Sequence, residues 1–180
     1  MWVKQLLQRI SIARGLRGFL ALGDFFALGA FLALGLVSHT AFSAENSTKQ
    51  GLIAHVSPYS AQKTEQRLLN IIQQKGLKVF TVIDHSEGAK SVDLNLPTSK
   101  VIIFGNPKVG TPLMQCSATA AIDLPQKMLL QEDELGNVWI RYNDPHYLAE
   151  RHKVENCEKV IQKIDKALAA IAAETVKQNQ

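Results

Sequence analysis

Val101-Ile102-Ile103-Phe104-Gly105-Asn106-Pro107-Lys108-Val109-Gly110-Thr111-Pro112 is the stretch on which the reading of the fold turns. Four consecutive apolar residues suit a strand in the middle of a sheet, and Gly-Asn-Pro after them forces a tight exit. Thr111-Pro112 then offers a cap and first-turn pair for a short helix through Leu113, Met114 and Cys116, because proline's fixed φ and missing N–H are harmless there. A central strand delivering its chain into a helix is an α/β arrangement.

Working toward the amino end, the polar run Asp84 to Lys100 reads as a loop or irregular connection. Leu77 to Ile83 is rich in β-branched and aromatic residues and reads as a strand. Before it, Ser60 is placed to cap a helix that turns Leu68, Leu69, Ile71 and Ile72 to one side and ends at Gly76, where glycine tolerates the left-handed closing residue. Leu52 to Val56 is a further short strand.

Toward the carboxyl end, Asp123-Leu124-Pro125 is a stop. Lys127 to Gln131 and Val138 to Tyr142 are strand-like runs around Gly136-Asn137 and are expected to pair as a hairpin. Asn143-Asp144-Pro145 marks a turn or cap. Cys157, Val160, Ile161, Ile164, Leu168, Ile171 and Ala172 then recur at helical spacing, which predicts an amphipathic helix laid over the sheet. Strand, helix, several strands, helix describes a two-layer α/β sandwich.

The first 43 residues stand apart. Lys4, Arg9, Arg14 and Arg17 precede an apolar run from Gly18 to Val37, and Ala41-Phe42-Ser43 has the small residues a signal peptidase reads,. Residues 1–43 are therefore expected to be a leader cleaved before Ala44, with an uncleaved membrane anchor as the alternative. Asp24 interrupts the run and favours the shorter, signal-like core. Residues 44–50 read as a spacer and 51–177 as one domain. Either form of the leader directs the domain out of the cytoplasm, to the periplasm or beyond, and the membrane is touched only through an uncleaved leader. The four cations and Asp24 account for three of the net charge of +4, so the remainder carries only +1. That balance gives nucleic-acid binding little electrostatic support.

Ser57-Pro58-Tyr59-Ser60, Asp84-His85-Ser86, the run Phe104 to Gln115, Ile122-Asp123-Leu124-Pro125 and Tyr142-Asn143-Asp144-Pro145 together resemble the bacterial family catalogued as domain of unknown function 302. The resemblance spans about Leu52 to Arg151. It implies an α+β sandwich of helices on a mainly antiparallel sheet, similar in topology to the TATA-box-binding-protein fold, and implies no chemistry.

Five residues are candidates for ligand contact: His85, Asn106, Gly110, Thr111 and Asp123. Gly105 to Pro112 lies between a strand and a helix, where backbone N–H groups can face an anion; it has neither a Walker ending nor a dinucleotide fingerprint. His85 and Asp123 can meet Cys116 and activate a thiolate, or serve only local hydrogen bonds. Cys116 and Cys157, in an exported chain, can close a disulfide or act as small core residues. His55, His146 and His152 form no metal motif with one another, no Cys-x-x-Cys pair occurs, and no cofactor is indicated. Trp139, Tyr142 and Tyr147 read as packing rather than pocket. The leading expectation is a non-enzymatic module binding a small molecule or a protein. A small enzyme or redox protein using Cys116 with His85 or Asp123 is the alternative, and a homodimer paired through a sheet edge is a third class.

Overall fold

The computed structural model describes residues 51–178, and the expected leader and spacer lie outside them. Five strands, β1 (Leu52–Ser57), β2 (Lys78–Asp84), β3 (Ser99–Gly105), β4 (Gln126–Glu132) and β5 (Val138–Asn143), form one sheet in the order β1-β5-β4-β3-β2. Every pairing in it is antiparallel. The Val101–Phe104 run is the inner strand that its unbroken hydrophobicity predicts, flanked by β2 and β4.

Two helices cover one face of this sheet. Helix α1 (Ala61–Gln74) buries Thr64, Leu68, Ile71 and Ile72, and α5 (Glu158–Val176) buries Ile161, Ile164, Leu168, Ile171, Ala172 and Thr175. Both sets follow the helical period. Beneath them lie Ile102 and Phe104 of β3, Met128 and Leu130 of β4, and Ile140 and Tyr142 of β5, alternate residues that share one side of the pleat. The architecture is α+β, with one hydrophobic core between the helices and the sheet.

Two local expectations change. Within Asp84 to Lys100, His85–Lys90 forms a short helix, α2, with Asp84 Oδ1 accepting from Glu87 N. It buries no residue, so it has no apolar period to betray it. Helix α3 (Pro107–Cys116) begins four residues earlier than Thr111. Asn106 is its cap, Pro107 opens its first turn, and Pro112 falls inside it, because Asn106 Oδ1 already accepts from Lys108 N at 2.9 Å. The stop at Asp123 ends a 3-10 turn, Ala118–Asp123.

Other punctuation behaves as read. Ser60 caps α1, and Asp144 caps α4 (Pro145–Arg151) by accepting from His146 N at 2.8 Å. The β4–β5 turn is held by Asp133, whose carboxylate accepts from Leu135 N, Asn137 N and Trp139 Nε1. These bonds, Trp139's first, lower its pKa to about 2. Tyr142 is core, Trp139 faces away from the helices, and Tyr147 lies against Gly51, whose φ of +66° and missing Cβ leave room for the ring,.

Arg67 joins the helical layer together. From α1 its Nε donates to Thr175 O at 2.7 Å, and Nη2 donates to Glu174 O and Lys177 O at 2.9 Å. These carbonyls close α5, where a helix has no N–H donors of its own left to offer them and favours a cation. Arg67→Ala is expected to lower unfolding free energy by about 1.5–3 kcal/mol, read by urea denaturation. Arg67→Lys should recover less than half of the loss, since one ammonium cannot span three carbonyls.

His55 lies half-buried on β1, stacked on Tyr142 with ring centroids 6.1 Å apart. Its Nε2 has no partner among the described residues, and burial holds its pKa below the ordinary 6.5. The unfolded chain therefore takes up a proton that the folded state resists, so stability is full above 6.5 and declines as pH falls below it. Midpoints of urea unfolding followed from about pH 7.5 to about pH 5 should fall less steeply in His55→Gln than in the parent.

Candidate functional site

The end of β3 builds the most site-like feature. Phe104 is its last residue facing the helices, and Gly105 follows with no side chain. On the neighbouring strand the register slips between Val79 and Thr81, which leaves Phe80 in an irregularity. Such bulges re-aim a side chain, and the Phe80 ring, 46% exposed, stands at the rim of a cavity. Leu77 and Phe80 make one wall, Val109, Gly110 and Met114 of α3 a second, and Ile164, Ala167 and Leu168 of α5 a third.

The enclosed space is about 300 Å³, the share of about ten waters and the small end of the range for ligand cavities. It is open for a physical reason. Gly105, Gly110, Ala121 and Ala167 contribute little or no side chain where larger residues would fill the gap. Asn106, Thr111 and Gln126 are the polar side chains among those described that line it.

Three of the five candidates, Asn106, Gly110 and Thr111, therefore share this cavity, while His85 and Asp123 do not. The anion cradle expected of the Asn106 turn is already filled from within. Pro107 has no N–H, Lys108 N donates to Asn106 Oδ1, and Val109 N and Gly110 N donate to Asn106 O. No donor of that first turn is left for a phosphate. His85 sits exposed beyond Asp84, at the far end of β2 from Lys78. Six residue steps of strand separate those ends by about 20 Å, so His85 meets neither Asn106 nor Asp123.

Asp123 has a partner that sequence reasoning passed over. Its Oδ2 lies 2.6 Å from His152 Nε2 and 3.5 Å from Arg151 Nη1, while His152 Nδ1 meets Thr119 Oγ1 at 3.1 Å. The His152 side chain is 6% exposed. His152 follows α4 directly, and its place beside Asp123 depends on two turns meeting in space. Carboxylate, imidazole and hydroxyl in series can relay a proton. Yet Thr119 lies on the surface, and the space beside the imidazole is about 10 Å³, room for one water at most,. The cluster instead ties segments together: Ser117 Oγ donates to His152 O, and Lys127 Nζ donates to Asp123 O and Pro125 O. Burial pushes the Lys127 ammonium below its ordinary pKa, against the pull of Asp123.

Cys116 ends α3 and Cys157 precedes α5. The two are joined as a disulfide, with Cα atoms 6.3 Å apart and a separation of 41 positions in sequence. The sulfur of Cys116 is therefore no thiolate in this state, and it has neither His85 nor Asp123 as a hydrogen-bond partner. Among the described residues, no three His, Cys, Asp or Glu gather to hold a metal ion.

The sequence model of the family described as "Domain of unknown function DUF302" matches residues 53–171. Among solved structures, the chain is similar to an uncharacterized conserved DUF302 protein from Bacillus stearothermophilus. The TM-score is 0.64 at 17% identity, over 69% of this chain and 98% of that one. At that identity the likeness concerns the fold alone. The chain is also 44% identical over 104 residues to proteins named fluoride-specific ion channel, FluC 1 of Brucella suis biovar 1 and FluC 2 of Brucella melitensis biotype 1. That stretch is 58% of this chain but only 41% and 38% of those relatives. It is more than twice as long as the 50 residues preceding Gly51, so over half of it lies in the described domain. No described helix is long and apolar enough to cross a membrane.

Replacing both cysteines by serine is expected to lower unfolding free energy by roughly 3–4 kcal/mol, the chain-entropy value for a loop of this length. Reductant should bring the parent to the same urea midpoint and leave the double variant unchanged.

Proposed function

From the premise that the chain belongs to the DUF302 family, which carries no assigned activity, we propose that it is an exported, non-catalytic module that binds an apolar small molecule. The cavity at the end of β3 carries this reading. Its walls are aliphatic and aromatic, it is open past the partly exposed Phe80 and Met114, and a few polar side chains stand at its edge. Water inside gains few hydrogen bonds, so an apolar ligand displaces it favourably.

Export rests on the amino-terminal leader, and the Cys116–Cys157 pair is compatible with it, since bridges persist in oxidising compartments,. Catalysis has less support: Cys116 is bonded, His85 stands alone at the opposite end of β2, and the Asp123–His152 pair lacks space for a substrate. The channel name of the Brucella relatives belongs to proteins of which this chain spans about two-fifths of the length, and it gives channel activity no support here.

The test is titration of the purified chain with the neutral dye N-phenylnaphthylamine, whose emission rises in apolar surroundings. Saturable binding is expected. Ala167→Trp, which places an indole in the cavity, should weaken it at least about tenfold with the thermal midpoint within a few degrees of the parent. Equal binding by parent and variant, or none by either, would remove the basis for this reading.

A further inference from the structure

The lip of the cavity has a charge character of its own. Lys78 opens β2 opposite Gly105, and its Nζ stands 5.5 Å from the centroid of the Phe80 ring at the rim. Lys108 lies between Pro107 and Val109, both of which line the cavity. Both lysines are exposed, and neither is paired with a carboxylate among the described residues. Asp123 is held by His152 and Arg151, and Glu174 by Lys75 at 2.6 Å. Uncompensated positive charge thus borders an apolar interior.

Resting on the reading of the cavity as a ligand site, we propose that the ligand is a single-chain amphiphile with an anionic head, a carboxylate or a phosphate. The tail enters the space between α3 and α5, and the head remains at the lip between Lys78 and Lys108. The chemistry of each part follows from its surroundings. Hydrocarbon gains by leaving water for the aliphatic walls, whereas an ionised head loses too much by following it. Held at the surface beside two ammonium groups, the head keeps its hydration and gains a screened attraction. About 300 Å³ suits a short or medium tail,.

The experiment compares heads on one tail. Decanoate, decyl phosphate, decanol and decylamine, each below its micelle concentration, displace the neutral dye from the full purified chain and from Lys78→Gln, Lys108→Gln and the double variant. Both anions should bind more tightly than decanol, and decylamine more weakly than either. Each single substitution should weaken the anions by up to about fivefold, the double variant by more, and decanol and the dye not at all. Added salt should weaken the anions alone. The order of decanoate and decyl phosphate identifies which acid the lip prefers.

Unchanged dye affinity in the variants reports that the fold is intact. Equal binding of decanol and decanoate, or tighter binding of decylamine, would overturn the anionic head while leaving an apolar ligand site in place. Absence of dye and ligand binding alike would overturn the site as well.

Discussion

The structure depends on one contact, the packing of the α1 and α5 stripes onto the side of the sheet that carries Ile102, Phe104, Met128, Leu130 and Ile140. An antiparallel sheet whose strands alternate apolar and polar residues must cover its apolar face, and these helices do so. Their cover is dense over the middle of β3, β4 and β5, where core residues are almost wholly buried. At the exit of β3 one wall of the cavity is α3, ten residues long and carrying Pro112 within it. A proline there removes one helical hydrogen bond and crowds the preceding turn. With small residues on α3 and at Ala167 of α5, the packing stays incomplete at that one end.

The polar groups around the same end are mostly turned inward to structural tasks. Asn106 uses its side-chain oxygen and its carbonyl to close the first turn of α3, and its Nδ2 reaches Gly76 O at 3.4 Å. Asp123 gathers His152 and Arg151, and Lys127 holds two carbonyls of the following turn. Functional polarity therefore has to be sought in groups without such duties. Lys78 and Lys108 fit that description, and their position beside lining residues is what the proposal of an anionic head rests on.

Much of the fold was legible because periodicity and punctuation agreed. Ile161 to Ala172 reads as a helix and is one; Gly136-Asn137 marks the hairpin; Ser60 and Asp144 cap the helices they precede. What failed to show was local structure without burial, as in His85–Lys90, and the start of α3, which is capped by Asn106 instead of the expected Thr111. The site was legible only in part for a different reason. Asn106, Gly110 and Thr111 stand out by residue type, but Leu168 lining a cavity and Leu168 filling a core are the same letter at the same helical spacing. Phe80 escapes notice too, since the register slip that turns its ring to the rim leaves no mark in composition. His152 and Asp123 lie 29 residues apart in sequence, and only the meeting of two turns makes them a pair.

An apolar void of this size costs stability, because its lining atoms forgo the contacts a filled core would have. It persists only if its walls cannot collapse. The Cys116–Cys157 bridge fixes the end of α3 to the start of α5, and Ser117, Asp123, His152 and Lys127 lash the connecting turns beside it. Both helices that face each other across the cavity are thereby tied to each other at one end, independently of any ligand. A site kept open in this way has already met the cost of ordering its walls, so contact with a ligand is not diminished by it. The rigidity around α3, which looks at first like support for a catalytic cluster, is better understood as the frame of a preformed pocket.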